Sequence, residues 1–148
     1  IRGNVETRLK KVANGKTEAT VLAAAGLNRL GISAWEGLSF KPFTVEEIVP
    51  AAGQGAIALQ VRSGEHAELA EVLCAETYEA VETEKAVLAG LGGGCHTSIG
   101  VYRKGKDVWV YHEEHGHKHY PVRGNGDAVK RLVETVAEDL GMEAEDVS

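Results

Sequence analysis

The residue types best suited to chemistry lie together at positions 92–96, where three glycines run into a cysteine and a histidine. Glycine tolerates positive φ and carries no side chain, so this run ends the preceding helical pattern and clears space around the sulfur of Cys95. A thiol on a bare loop between a helix and a strand is placed for chemistry rather than for packing. We expect Cys95 to be accessible, and Cys74, which follows the apolar Leu73, to be an inert and partly buried thiol.

The sequence around residues 92–96 bears on three other interpretations of this stretch. A cysteine often packs as a small hydrophobic side chain, and this reading stays open for Cys95. A glycine-rich phosphate loop follows a strand and opens a helix, whereas this run closes a helix. A zinc site normally contains a Cys-x-x-Cys pair, and Cys74 is too far along the chain to form one. The order of elements therefore argues against phosphate and zinc binding here.

Positive charge is concentrated at the start of an otherwise acidic chain. The net charge is −6, but residues 1–31 contain six Lys or Arg and two Glu, a balance of +4, so the remainder carries −10. This asymmetry favours a local anion site over a nucleic-acid surface. Arg2 and Arg8 lie on either side of an N-cap residue, Asn4, where free backbone N–H groups already favour anions. Both arginines can therefore face one ligand.

Four histidines form a second cluster of polar groups, at His112, His115, His117 and His119. Such a cluster can bind metal, but histidines of a hairpin are usually only solvated. No acidic or sulfur ligand stands at a suitable spacing, so we expect no metal site, and the role of the cluster stays open.

Hydrophobic periodicity predicts the elements that position these groups. The expected helices cover 5–13, 27–30, 65–73, 77–91 and 127–140, and the expected strands cover 18–25, 56–61, 99–103, 108–113 and 118–123. The first two strands are nearly all apolar, as in buried parallel sheets. Glu82, Glu84 and Lys85 are expected to face away from the core, and Thr44 to Glu47 has the form of a capping box. The last three strands and their helices indicate a small α+β unit.

Composition sets the broad class of the protein. The chain has 148 residues, of which 43% are apolar and 26% charged, which suits one globular domain or parts of two. No apolar run is long enough to span a bilayer, and two distant cysteines indicate a reducing compartment rather than a disulfide framework. Because the chain begins with Ile1, we expect it to be a fragment or a processed piece of a longer protein.

Five motifs tie the chain to a known family. They are Arg2-Gly3-Asn4-Val5 with Thr7-Arg8-Leu9; Leu22-Ala23-Ala24-Ala25-Gly26-Leu27 with Arg29-Leu30-Gly31; Pro50-Ala51 with Gly53-Gln54-Gly55-Ala56; Glu76-Thr77 with Glu84-Lys85-Ala86; and Gly93-Gly94-Cys95 with Ile99-Gly100. With these motifs in order, the chain to about residue 102 resembles the C-terminal half of the porphobilinogen deaminase (hydroxymethylbilane synthase) family. It departs from the family at Gly92, where Glu is usual, and at His96-Thr97-Ser98, where Val-Pro usually follows a small or polar residue.

The resemblance implies a three-domain α/β enzyme. Its partial periplasmic-binding-protein-like domains are followed by a small α+β domain with a three-stranded antiparallel sheet and helices. Residues 1–49 would be the C-terminal part of domain 2, residues 50–73 the hinge and the segment that returns to domain 1, and residues 75–148 domain 3, which carries the cofactor cysteine. Gly53, Gln54 and Gly55 would form the hinge.

The resemblance also implies a function, that of a cytoplasmic transferase of tetrapyrrole and haem biosynthesis. Such an enzyme joins four porphobilinogen units on a covalent dipyrromethane cofactor, with loss of ammonia at each addition. Cys95 would hold this cofactor through a thioether, and Arg2, Arg8 and Arg29 would bind the carboxylates of cofactor and substrate.

The same resemblance places the catalytic aspartate in the family's N-terminal half. No residue of this chain is therefore assigned as catalytic, and we expect the chain to need that half as its partner and to be inactive alone. Neither nucleic acid nor a membrane is expected as a partner. A non-catalytic binding module that retains the fold, and a histidine-rich metal-binding domain, stay open as alternatives.

Overall fold

The computed structural model describes residues 1–93 and 98–144, without the side chains of residues 66–68. The chain divides into two compact units, Ile1–Phe43 and Thr44–Ser148. The predicted cofactor residue Cys95 and its neighbour His96 lie outside the described residues. None of the helices in the described part combines the length and the apolar character that a membrane crossing requires.

The first unit contains two helices, α1 (Val5–Ala13) and α2 (Ala24–Arg29). The expected N-cap is confirmed, because Asn4 Oδ1 accepts a hydrogen bond of 2.8 Å from the backbone N–H of Thr7. The two helices touch at a glycine. A Cβ added to Gly26 would lie 3.6 Å from Val5 Cγ2, an ordinary van der Waals distance. The cap and this contact fix the start of α1 beside α2.

The strand expected over residues 18–25 does not form. Residues 19–23 belong to no regular element, Ala24 already begins α2, and Val21 is 71% exposed. A strand needs a neighbour that pairs with its N–H and C=O groups. Within residues 1–43 such pairing is limited to an isolated bridge between Trp35 and Leu38. The prediction is therefore wrong for this chain, because an apolar run alone does not supply a partner strand.

The second unit is built on a three-stranded antiparallel sheet with the order β1–β2–β3. The strands are β1 (Ile99–Lys104), β2 (Asp107–His112) and β3 (Gly116–Pro121), and each is joined to the next by a short turn. This arrangement confirms the three short strands and the small α+β unit that the change of hydrophobic period predicts.

Two helices, α3 (Ala75–Gly90) and α4 (Asp127–Asp139), pack with the sheet around one core. A 3₁₀ helix, His66–Val72, precedes them within the helix that was expected over residues 65–73. The buried core residues are Val87, Leu91, Val101, Val108, Val110, Tyr120, Val122, Leu132, Val133, Val136, Ala137 and Leu140. Burial of each Val or Leu side chain contributes about 1.5–3 kcal/mol, so this core is the main source of stability of the unit.

The strand expected over residues 56–61 is also absent. Ile57, Leu59 and Val61 lie in an irregular, exposed segment, and their exposed fractions are 79%, 52% and 42%. The three-stranded sheet uses none of these residues as a pairing partner. The cause is the same as for residues 18–25, since a buried strand requires neighbours on both sides.

The segment before the glycine turn packs directly on β1. The backbone N–H of Val101 donates a hydrogen bond of 2.9 Å to the carbonyl oxygen of Pro50. Only glycine permits this approach, because a Cβ on Gly100 would lie 2.6 Å from the carbonyl oxygen of Val49. The capping box is confirmed, with Thr44 N–H to Glu47 Oε2 at 3.0 Å and Glu47 N–H to Thr44 Oγ1 at 3.3 Å, although it closes a turn rather than a helix.

Candidate functional site

Basic side chains of the first unit gather at the N-terminus of α1. Arg8 Nε donates a hydrogen bond of 2.8 Å to the carbonyl oxygen of Gly3, and Lys11 Nζ donates one of 2.6 Å to that of Arg2. Both side chains therefore reach back along the residues that precede the helix, at the end where the helix dipole favours anions. Lys11 was missed in the sequence, although its position three residues after Arg8 puts both on one face of a helix.

Arg29 occupies the last turn of α2 and is exposed, as is Arg2, whereas Arg8 is half-buried. Arg29 follows Gly26, the residue through which α2 contacts α1. A separate, open depression of about 630 Å³ adjoins α1, and Lys11 and Lys16 are its basic lining residues. The first unit thus presents several cations and few anions on its surface, which fits an acidic ligand.

The residues predicted as a hinge form a tight turn. Gly53 and Gly55 have φ angles of 74° and 88°, in the left-handed region that favours glycine. Gln54 closes the turn through two hydrogen bonds with Ala51. Its backbone N–H donates to the carbonyl oxygen of Ala51 at 3.0 Å, and its side-chain Oε1 accepts from the N–H of Ala51 at 3.2 Å. The turn therefore has a defined internal structure of its own.

Glu84 anchors this turn to α3 and β1. Its Oε2 accepts a hydrogen bond of 2.7 Å from the N–H of Gly53, and its Oε1 accepts one of 2.8 Å from the N–H of Arg103. The expectation that Glu84 faces solvent is wrong, since the residue is only 4% exposed. It is buried because its carboxylate satisfies two backbone donors. Helical periodicity cannot reveal such a residue, whereas its place in the motif Glu84-Lys85-Ala86 did single it out.

The Arg103 side chain is buried beside the same helix. Its Nη1 donates a hydrogen bond of 2.5 Å to Thr83 Oγ1, its Nε donates one of 3.0 Å to the carbonyl oxygen of Gly105, and its Nη2 lies 3.6 Å from Glu79 Oε2. Two consecutive residues of α3 thus hold Arg103. Thr83 accepts a hydrogen bond from its guanidinium, and Glu84 accepts one from its backbone N–H. Turn, helix and strand form one connected polar network, which we call the Glu84 network.

The loop that carries Cys95 leaves α3 through a glycine cap. The N–H groups of Gly92 and Gly93 donate to the carbonyl oxygens of Ala89 and Leu88, both at 2.9 Å, and Gly92 has a φ of 62°. This is the Schellman arrangement, and it confirms that the glycines end the helix. A Cβ on Gly93 would lie 2.5 Å from Leu88 Cδ1, so no larger residue fits there without a shift. The accessibility of Cys95 itself stays a prediction.

Cys74 differs from its expected character. The residue is exposed rather than partly buried, because the neighbouring Leu73 is itself 61% exposed. Cys74 immediately precedes α3, and hydrogen bonds from Thr77 lower the pKa of its thiol below the usual value. A thiol at a helix N-terminus is also favoured as a thiolate. The prediction of a partly buried Cys74 is therefore wrong, whereas its lack of reactivity stays a prediction.

Two of the clustered histidines are engaged on a face of the sheet. His119 Nε2 lies 2.9 Å from Asp107 Oδ1, and the His119 ring contacts that of Trp109 in a tilted arrangement with centroids 5.1 Å apart. The His117 ring contacts that of Tyr111 in the same tilted manner, with centroids 5.0 Å apart. These contacts agree with the expectation that the two histidines share one face.

The other two histidines belong to the β2–β3 turn, where the structure adds an acidic residue. His112, Glu114 and His115 each place a ligand atom within 4.8 Å of the others. The expectation that no acidic ligand stands at a suitable spacing is therefore wrong, because Glu114 is such a ligand. The signal was in the sequence, in the run His112-Glu113-Glu114-His115.

Comparison with known proteins bears on the first unit and on the glycine turn at residues 53–55 of the second unit. A porphobilinogen deaminase family model, described as the dipyromethane cofactor binding domain, matches residues 1–70. The matched residues include Arg2, Arg8, Arg29 and the turn at 53–55, but not Cys95.

Among the curated relatives is the porphobilinogen deaminase of Ruminiclostridium cellulolyticum, 44% identical over 103 residues, which cover 69% of this chain and 34% of the relative. That of Thiobacillus denitrificans is 44% identical over 111 residues, covering 72% and 35%. That of Thermus thermophilus is 45% identical over 105 residues, covering 68% and 33%. The chain spans about a third of the length of these relatives.

Residues 1–70, which include the cation-rich first unit, are, first, similar to a cofactor-binding domain. More specifically, the chain belongs to the porphobilinogen deaminase family, as a partial sequence.

The Glu84 network predicts that alanine substitution of Glu84 destabilises the protein much more than the same substitution of Glu82 on the same helix. Glu84→Ala leaves the N–H groups of Gly53 and Arg103 without an acceptor, so we expect a loss of about 2–4 kcal/mol in the free energy of unfolding. Urea denaturation followed by circular dichroism measures it, and amide hydrogen exchange should show reduced protection at Gly53.

The matched control is Glu82→Ala on the same helix. The Glu82 side chain is 54% exposed, and its ion pair with Lys85 Nζ, at 3.9 Å, is at the surface. Its removal should therefore change the free energy of unfolding by no more than about 0.5 kcal/mol. Equal effects of the two substitutions would show that the Glu84 network does not stabilise the fold.

Proposed function

We propose that the chain forms the C-terminal portion of a hydroxymethylbilane synthase. This transferase polymerises four porphobilinogen units into a linear tetrapyrrole on a covalent dipyrromethane primer, with loss of ammonia, in tetrapyrrole and haem biosynthesis. The observation that carries the proposal is the match of residues 1–70 to the cofactor-binding domain of the family, together with 44% identity to a deaminase over 103 residues.

The proposal divides the chain among three domains of an α/β enzyme. Residues 1–49 complete domain 2, a periplasmic-binding-protein-like domain, residues 50–73 provide the hinge and return to domain 1, and residues 75–148 form domain 3. The exposed, largely apolar segments within 18–25 and 56–61 support this division, because their apolar residues would be covered if the segments paired with a sheet. The N-terminal half of the enzyme is the partner that supplies those sheets.

The hinge assignment gains a more specific form from the Glu84 network. Gly53 is tied to Glu84 in the second unit, whereas Gly55 has open space around the position of its missing side chain. The exposed segment with Ile57 follows directly. We therefore propose that the Gly53 end of the turn stays fixed and that Gly55 takes up the change in backbone angles when domains move.

The residues of the first unit fit the charge of the cofactor. Each pyrrole ring of the substrate and the growing chain carries an acetate and a propionate, so the ligand is a polyanion. The Arg8 and Lys11 side chains at the helix N-terminus provide cations and oriented N–H groups for such carboxylates. Arg2 and Arg29, which are exposed, would bind further carboxylates. When bound, the dipyrromethane supplies the pyrrole terminus to which new units are joined.

Cys95 is proposed to hold the dipyrromethane through a thioether. The Schellman cap at Gly92 supports this assignment, because it directs the chain sharply away from α3 just before the cysteine. The catalytic aspartate of the family would come from the N-terminal half, and the whole enzyme would be cytoplasmic. Its ligands would be porphobilinogen and oligopyrroles, with no nucleic acid or membrane involved.

Loading of the cofactor should depend on one thiol only. We expect Cys95→Ser to abolish any covalent pyrrole adduct, and Cys74→Ser to leave it intact, since a thioether forms at the sulfur that lies in the cofactor loop. Intact mass, an Ehrlich colour test and peptide mapping detect the adduct after assembly with the N-terminal half of a relative.

The exposed Cys74 makes this control necessary, because its thiol is also open to solvent. An adduct that persists in Cys95→Ser, or one that maps to Cys74, would overturn the assignment. A properly assembled protein without any adduct would favour a non-catalytic binding module.

The arginine assignment predicts a loss of ligand binding without a loss of helix. Arg8→Leu removes a charge-assisted contact of about 1.5–3 kcal/mol, so we expect porphobilinogen to bind about ten- to a hundredfold more weakly. Lys10→Leu, a charge removal on the exposed side of the same helix, is the matched control and should change affinity less than threefold. Calorimetric titration of the enzyme assembled with its N-terminal half measures both, and equal losses would refute a specific role for Arg8.

A further inference from the structure

The turn between β2 and β3 fixes three side chains that are suited to a metal ion. His112, the last residue of β2, pairs with Gly116, the first of β3. The N–H of His115 donates to the carbonyl oxygen of His112 at 3.2 Å, and Gly116 has a φ of 70°. The N–H of Glu114 donates to Nδ1 of His112 at 3.2 Å. These bonds give the turn a defined backbone, so the side chains of the turn leave it in set directions.

We propose that this turn binds a divalent transition-metal ion, with one imidazole nitrogen each from His112 and His115 and one carboxylate oxygen of Glu114 as ligands. The three ligand atoms all lie within 4.8 Å of one another. Zinc bonds to nitrogen and oxygen of about 2.0–2.2 Å place tetrahedral ligands about 3.4 Å apart. Rotation of the exposed Glu114 and His115 side chains is sufficient to shorten the separations between ligand atoms to about 3.4 Å.

The chemistry of the ligands selects the kind of ion. Two imidazoles and one carboxylate suit zinc, nickel, copper or cobalt, whereas magnesium and calcium prefer sites made wholly of oxygen. Three protein ligands leave at least one coordination position for water. The adjacent Glu113 and the acidic character of the chain beyond residue 31 add favourable charge for a cation.

Metal binding changes one hydrogen bond in the turn. Coordination through Nδ1 of His112 replaces the bond from the Glu114 N–H, and coordination through Nε2 moves the ring proton to Nδ1, which then cannot accept that bond. In either case the amide of Glu114 loses its acceptor. Its resonance in an NMR spectrum is therefore a direct reporter of the proposed site, independent of any enzyme activity.

The remaining histidines of the hairpin have other contacts. His119 is paired with Asp107, and the His117 ring packs against that of Tyr111. Both lie on β3 rather than in the turn. They therefore serve as controls of the same residue type in the same hairpin.

The experiment is a titration of the untagged full chain with Zn²⁺ by calorimetry and NMR. Cys74→Ser and Cys95→Ser form the background, so that thiolates do not contribute. We expect one zinc per chain, with the largest shift at the Glu114 amide. His115→Ala and Glu114→Gln should each weaken binding at least tenfold, while His117→Ala should change it less than twofold. Amide spectra of the sheet identify correctly folded variants.

Two results would overturn the proposal. One is the absence of saturable zinc binding by the folded protein at millimolar zinc. The other is an equal loss of affinity in His117→Ala and His115→Ala, which would assign binding to the histidine-rich surface in general. Saturable binding of Mg²⁺ at the same amides with similar affinity would also contradict the proposed ligand set.

Discussion

The buried carboxylate of Glu84 is the contact on which the second unit depends. A carboxylate is costly to remove from water unless hydrogen bonds satisfy it, and here the N–H groups of Gly53 and Arg103 do so. One side chain therefore determines where the glycine turn and β1 lie relative to α3. Arg103 reinforces the arrangement through Thr83 and Gly105. The apolar core supplies most of the stability, whereas these polar contacts specify which backbone segments meet.

This network links two features on which the family assignment depends. The turn at 53–55 is within the part of the chain that matches the cofactor-binding domain. At its other end, α3 finishes in the glycine cap that precedes Cys95. The helix thus connects the proposed hinge with the proposed cofactor loop through short, specific contacts. The cations proposed to bind carboxylates belong to the first unit, with Arg8 and Lys11 held at the start of α1.

Local signals in the sequence were sufficient for part of this structure. The Asn4 cap, the capping box at residues 44–47 and the three hairpin strands each depend on near neighbours, and all are confirmed. The predictions of strands at 18–25 and 56–61 were wrong. A strand must pair with a neighbouring strand, and an apolar pattern does not show whether one is present. Glu84 was wrongly placed because its partners are far away in sequence. The burial of Cys74 was wrongly predicted because it depends on what packs over the residue, and even the neighbouring apolar Leu73 is 61% exposed.

The account predicts that this chain needs a complementary N-terminal half to act as a hydroxymethylbilane synthase. The most direct measurement mixes the purified chain with the part of the Ruminiclostridium cellulolyticum deaminase that it does not cover, and follows formation of linear tetrapyrrole from porphobilinogen. We predict product from the mixture and none from either piece alone, because positive charge on the reacting pyrrole must be stabilised by a carboxylate from the N-terminal half. Product from the chain alone, or a stable complex that forms no product, would contradict the account.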